Sequence, residues 1–178
     1  MRRLPVAQAS WPALSEMQAR RPALRGLTLL AVAIAAGLGA APADPVAWKL
    51  SPPGKPVKAG ARFQVRLVAA IEPGWHLYSL KPMPEGPIPT RIWIAEGQPF
   101  QLSGAVAATE PVTVQDPALG MEVEMYEGEA SFTLPVQAAS GAVGPQKLVV
   151  SASYQSCNNR LCLPPKTVKV ELPVALAK

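Results

Sequence analysis

The sequence of 178 residues is poor in the residue types from which most metal and hydrolytic centres are built, with two cysteines and one histidine. A closed tetrahedral zinc site wants four ligands at short recurring spacings, and a nucleophilic serine or cysteine wants a histidine beside it. His76, the sole imidazole, sits in the strand-like run WHLYS and offers little to either chemistry. Cys157, Cys162, His76, Met83, Met121 and Met125 are a donor set that soft Cu(I) accepts, but they form neither a C-x2-C pair nor a methionine cluster. No metal and no cofactor are therefore expected. Aromatic residues are scarce too, at 6%. No apolar run reaches the roughly 20 residues that cross a bilayer comfortably.

The net charge of +5 first suggests a phosphate-bearing partner, but the position of the charges removes that reading. Residues 27–40, LTLLAVAIAAGLGA, follow Arg20, Arg21 and Arg25 and precede the small residues Ala40, Ala41 and Ala43, the three-part plan of a secretory signal peptide. A start at Met17 would give this signal a leading region of ordinary length. Arg20-Arg21 is followed by Pro22 and Ala23, which suits general export better than a twin-arginine signal. Cleavage after residue 43 leaves 12 Lys and Arg against 11 Asp and Glu. These basic residues are scattered singly from Lys49 to Lys178, whereas nucleic-acid binding needs them clustered. Nucleic acid is excluded as a partner, and residues 44–178 are expected to form one exported domain.

What the chain has in plenty is proline, 21, and glycine, 13, set between stretches of period-2 alternation. In residues 61–70, ARFQVRLVAA, Phe63, Val65, Leu67 and Ala69 point one way and Arg62, Gln64 and Arg66 the other, as in a half-buried strand. Val168, Val170 and Leu172 repeat the pattern in TVKVEL. Further strands are predicted over 46–50, 75–79, 90–95, 121–126, 129–136 and 147–157, and nothing sustains a helix of about ten residues. Roughly seven to nine short strands suit an all-β antiparallel sandwich. Pro135 and Pro164-Pro165 are expected at edges, bends or bulges, because proline cannot donate to a ladder. Residues 81–90, KPMPEGPIPT, read as a stiff crossing between strands.

The segment SYQSCNNRLCLPP, residues 153–165, places Cys157 and Cys162 on either side of NNRL. Asn158-Asn159 tolerates the left-handed backbone of a tight turn, and cysteines flanking such a turn come within disulfide reach. In an exported domain two cysteines this close read as a disulfide rather than as free thiols. So short a closed loop stabilises by only about 2 kcal/mol. Arg160 between the sulfurs favours the thiolate that exchange needs. Redox exchange and a structural staple both fit these residues, as does a non-redox sandwich that displays its loops to a partner.

Five blocks in order, GWHLYS (74–79), GPIPT (86–90), Asp116 to Gly120, YEGEASFTLPV (126–136) and YQSCNNRLCLPP (154–165), resemble the N-terminal periplasmic domain of the thiol:disulfide interchange protein DsbD. The likeness runs from about Val46 to Leu172. It implies an immunoglobulin-like β-sandwich in the periplasm, serving electron transfer and cytochrome c maturation. Cys157 and Cys162 would form the redox pair, passing reducing equivalents through mixed disulfides to oxidised thioredoxin-fold partners. It also implies a cap loop over the pair, here Asp116, Pro117, Ala118, Leu119 and Gly120. Family members often carry an aromatic ring in that cap; with Ala118 and Leu119 the shielding would fall to Leu119 and Met121, and a more accessible disulfide is expected. Tyr78, Tyr126 and Tyr154 are candidate walls of the site, and Glu127 and Glu129 candidate acid–base groups. The family's full-length protein continues into a membrane electron-transfer domain and a thioredoxin-like domain, so with a chain ending at Lys178 a separate membrane donor is expected to reduce this one, as a monomer.

Overall fold

The computed structural model describes residues 43–178 except Ala118, and in them the alternation of apolar and polar residues becomes thirteen strands and no helix. The proposed export signal up to Pro42, the alternative start Met17 and the cap residue Ala118 lie outside the described residues. The strands are β1 (Val46–Ser51), β2 (Val57–Lys58), β3 (Arg62–Ile71), β4 (His76–Tyr78), β5 (Arg91–Ile94), β6 (Phe100–Leu102) and β7 (Ala107–Ala108). They continue with β8 (Val112–Asp116), β9 (Met121–Glu127), β10 (Glu129–Ala138), β11 (Gly144–Tyr154), β12 (Ser156–Cys157) and β13 (Lys166–Ala177). This exceeds the seven to nine strands expected. The extra ones, β2, β6, β7 and β8, are mostly two or three residues long, too short to show a period.

Three sheets result: β1-β3-β10-β6 with β7 also on β10, β2-β13-β11-β5, and β12-β4-β9-β8. All pairings are antiparallel except the two-residue contact of β2 with β13, which is parallel. Val65, Leu67 and Ala69 of β3 are buried between the exposed Arg62, Gln64 and Arg66, as the alternation requires. Together with Phe132, Leu134 and Val136 of β10 and Leu148, Val150 and Ala152 of β11 they fill one core between the two larger sheets. Phe132 is fully buried, stacked on Trp48 at 5.8 Å between centroids and edge-on to Tyr126 at 5.5 Å.

Pro135 departs from expectation, for it lies inside β10, opposite Gln64 of β3. Its carbonyl accepts from Ser103 N–H on the other side, and in a strand the nitrogen points the same way as the carbonyl of its residue. On that side Pro135 falls between Thr133, the last position paired with β7, and Val136, the first paired with β6, so the missing N–H falls in a gap of the ladder. Pro164-Pro165 follow Leu163 outside any strand and lead directly into β13.

The third sheet grows out of the first. β3 turns through Glu72–Pro73–Gly74–Trp75, closed by Trp75 N–H donating to Glu72 O at 3.1 Å, with Gly74 at φ 81. Proline second and a positive-φ glycine third make a type II turn. β9 reaches β10 through Gly128 at φ 65, whose carbonyl accepts from Ile71 N–H. The β3–β10 ladder thus resumes as β4–β9 beyond a kink. Replacing Phe132 with Ala removes a ring held on two sides, and a loss of about 3–5 kcal/mol is expected for such a truncation. Urea unfolding with the disulfide intact reads it as a lowered midpoint.

Candidate functional site

The site is built where β11 leaves its own sheet. After Tyr154, which pairs with Lys166 of β13, the chain crosses at Gln155 and Ser156–Cys157 joins β4 as β12. The excursion is tied at its neck by Gln155 Nε2 donating to Leu163 O at 3.0 Å and Leu163 N–H to Ser156 O at 2.9 Å. At its tip Asn158 N–H donates to Leu161 O at 2.9 Å, and the Asn158 side-chain Oδ1 accepts from the N–H groups of Arg160 and Leu161, each at 2.9 Å. Neither asparagine has a positive φ; among the described residues Glu85 is the non-glycine that does. The turn therefore closes through the Asn158 carboxamide and not through the left-handed backbone that was expected.

Cys157 and Cys162 stand directly opposite each other between those two bonded positions. Pairs not joined by ladder hydrogen bonds are the closer kind in an antiparallel sheet, and here the Cα atoms are 4.0 Å apart and the sulfurs bonded. The two sulfurs live in different surroundings. Cys157 is 1% exposed and packs with Tyr78, Val123, Met83, Met121 and Met125, while Cys162 is exposed. A cleft of about 430 Å³ opens beside Cys162, lined by His76, Tyr78, Asp116, Pro117 and Arg160 among others. A larger open groove of about 710 Å³, lined by Arg91, Trp93 and Val106, does not include the cysteines.

The family model described as thiol:disulfide interchange protein DsbD, N-terminal, matches residues 47–173. The chain belongs to that family. Among solved structures, the N-terminal domain of Neisseria meningitidis DsbD in its reduced form is 21% identical, with a TM-score of 0.44, over 66% of this chain and 80% of that one. The N-terminal periplasmic domain of ScsB from Proteus mirabilis is 16% identical, with a TM-score of 0.49, over 75% of this chain and 47% of that one. A comparison with curated proteins finds no match.

Within this member of the DsbD N-terminal family, the residues singled out from the sequence divide. Tyr78 lines the cleft, and its hydroxyl donates to Asp116 Oδ2 at 3.0 Å. Tyr126 and Tyr154, expected as further walls, pack instead in the main core. Tyr126 meets Phe132, and Tyr154 meets Trp48 at 5.2 Å and gives its hydroxyl to Asp44. The physical reason is alternation. Tyr126 pairs with Leu77, which faces that core, whereas Tyr78 pairs with Met125 on the opposite face.

The loop from Asp116 to Gly120 is the turn between β8 and β9, held by Asp116 Oδ1 accepting from Leu119 N–H at 3.1 Å and Asp116 O from Gly120 N–H at 2.8 Å. Pro117 borders the cleft; Leu119 does not, and is 42% exposed. Glu127 is exposed opposite His76, and Glu129 is exposed on β10. Met83, Met121 and Met125 pack, partly buried, against the cluster of Tyr78, Val123 and Cys157. Among the described residues no group of three or more His, Cys, Asp or Glu converges as a metal site.

The residue that sequence reasoning left out of the site is His76. It is 7% exposed, edge-on to Tyr78 at 5.2 Å, and directly opposite Cys157 across the β12–β4 ladder. The spacing in WHLYS carried the signal, since His76 and Tyr78 must share a face. Burial pushes the His76 imidazole below its ordinary value of 6.5, against the carboxylates of Asp116 and Glu127, which raise it. Burial and the hydrogen bond to Asp116 push the Tyr78 hydroxyl up to about 12.

A histidine whose folded value lies below its unfolded one favours folding above the unfolded value and loses that contribution as pH falls. The urea midpoint of the wild type should therefore drop as pH is lowered from about 7 through the range below 6.5, by more than in His76→Gln. Equal pH slopes for the two proteins would show that His76 folds without a lowered value.

Proposed function

We propose that this domain is a periplasmic thiol:disulfide exchange module in which Cys162 meets the partner and Cys157 completes the exchange. The observation that carries this reading is the asymmetry of the pair: an exposed Cys162 beside an open cleft, bonded to a buried Cys157. A structural staple has no use for such a cleft. Exchange proceeds by attack of a thiolate on one accessible sulfur, through a mixed disulfide.

In the accepting direction a donor thiolate attacks Cys162 Sγ, the Cys157–Cys162 bond breaks, and Cys157 leaves with the electron pair and takes a proton. A second donor thiolate then attacks the donor sulfur of the mixed disulfide and releases Cys162. The donor pair is oxidised and Cys157 and Cys162 are reduced by two electrons. In the giving direction the same steps run backward onto an oxidised partner of thioredoxin fold. The donor is a membrane electron-transfer protein with paired cysteines. Cys162 is itself exposed at the rim of the cleft, so a docking partner meets little steric obstruction there.

The test is trapping. Cys157→Ala keeps the exposed sulfur and should accumulate a mixed disulfide with an oxidised periplasmic thioredoxin-fold protein, seen as a reducible adduct on a non-reducing gel. Cys162→Ala, which keeps only the buried sulfur, should accumulate at least about tenfold less, in line with the control of exchange by access. Equal trapping by both variants, or none by either, would overturn the reading.

A further inference from the structure

Four residues from three adjoining strands and the cysteine turn form one transverse row: Glu127 of β9 opposite His76 of β4, His76 opposite Cys157 of β12, and Cys157 opposite Cys162. Residues directly opposite in an antiparallel ladder project from the same face with Cβ atoms about 4.5–5.5 Å apart. A carboxylate, an imidazole and the two sulfurs therefore lie side by side. Within that row His76 Nε2 is buried and has no hydrogen-bond partner among the described residues. A buried polar nitrogen left unpaired costs stability, so its place on the residue opposite buried Cys157 calls for a function.

The giving direction of the exchange supplies one. Once Cys162 holds a partner in a mixed disulfide, Cys157 must attack as a thiolate. A thiol buried with Tyr78 and Val123, in a cluster against which three methionines pack, resists ionisation, because apolar surroundings disfavour the charged thiolate. Solvent has little access to that proton, since Cys157 is 1% exposed.

We propose that His76 is the base that takes the thiol proton of Cys157 as the buried sulfur resolves the mixed disulfide, and that it returns the proton in the reverse step. The proposal rests on the exchange reading above. The step balances. The proton of Cys157 passes to His76 Nε2, Cys157 Sγ bonds to Cys162 Sγ, and the bond from Cys162 to the partner sulfur breaks. The partner leaves as a thiolate with the electron pair. The two cysteines are oxidised and the partner sulfur is reduced, and the proton then moves from His76 through the cleft to the departing thiolate or to water. The charged and titratable groups around His76 are Glu127 across the ladder, Asp116 at the end of β8, Tyr78 on β4 and Arg160 in the cysteine turn. The two carboxylates steady the imidazolium while it holds the proton.

The experiment mixes the reduced full chain with Ellman's reagent and follows thionitrobenzoate release by stopped flow. The first equivalent reports attack by Cys162, and the second reports resolution by Cys157. Thionitrobenzoate needs no protonation to leave, so the second phase isolates ionisation of Cys157. In the wild type that phase should be nearly flat above about pH 7 and fall as pH drops below His76's lowered value. In His76→Gln it should be at least roughly tenfold slower near pH 7 and climb steeply with pH, as loss of a positioned base implies. The first phase should change less than about twofold. His76→Phe, which keeps a ring against Tyr78 and removes the nitrogen, should behave like His76→Gln and guards against a variant that misfolds. A second phase with wild-type rate and pH profile in either folded variant would overturn the proposal. Loss of the first phase in the wild type would instead overturn the exchange reading.

Discussion

The kinked continuation of β3–β10 into β4–β9 is the constraint on which the site depends. Two strands that belong to the main sheet change direction together at Gly74 and Gly128, and so offer β4 as a free edge. β12 takes that edge after leaving the sheet of β11 and β13. The third sheet therefore holds Tyr78, His76 and Cys157 together, with Cys162 bridged to Cys157 at its edge. Without the kink the cysteine turn would have no strand to pair with, and Cys157 would not be buried.

That arrangement explains why the two sulfurs differ although five positions separate them in sequence. Cys157 ends a paired strand and faces the small cluster of Tyr78, Val123 and the methionines. Cys162 lies on the return side of the turn, and among the described residues no strand pairs beyond it to cover its other flank. Thiol–disulfide exchange wants this division, because one sulfur must be reached by a partner and the other must be held to complete the transfer. The scarcity of other functional groups fits as well: exchange needs two sulfurs, a proton acceptor and a docking surface, and no metal or hydrolytic apparatus.

Much of the fold could be read from residue order. Arg62 to Ala70 and Thr167 to Leu172 show on which side their residues lie, because a period of two is unambiguous where one face is buried. The short strands β2, β6 and β7 could not be read, since two or three residues carry no period. Pro135 misled, because whether a missing N–H matters depends on where a neighbouring strand starts. In the site, the cysteine pair was legible from spacing, whereas the separation of Tyr78 from Tyr126 needed the register of β4 against β9. His76 was weighed and set aside for the same reason. A lone histidine in a strand looks like packing until the strand opposite it is known to carry Cys157.

The measurement that bears most directly on a redox role is the reduction potential of the Cys157–Cys162 pair in the intact chain, obtained by equilibration in thiol–disulfide buffers. An exchange module requires a value above about −300 mV, where thioredoxin-like dithiols and the pair can trade electrons. A value below about −300 mV is that of a structural disulfide and would contradict an exchange function.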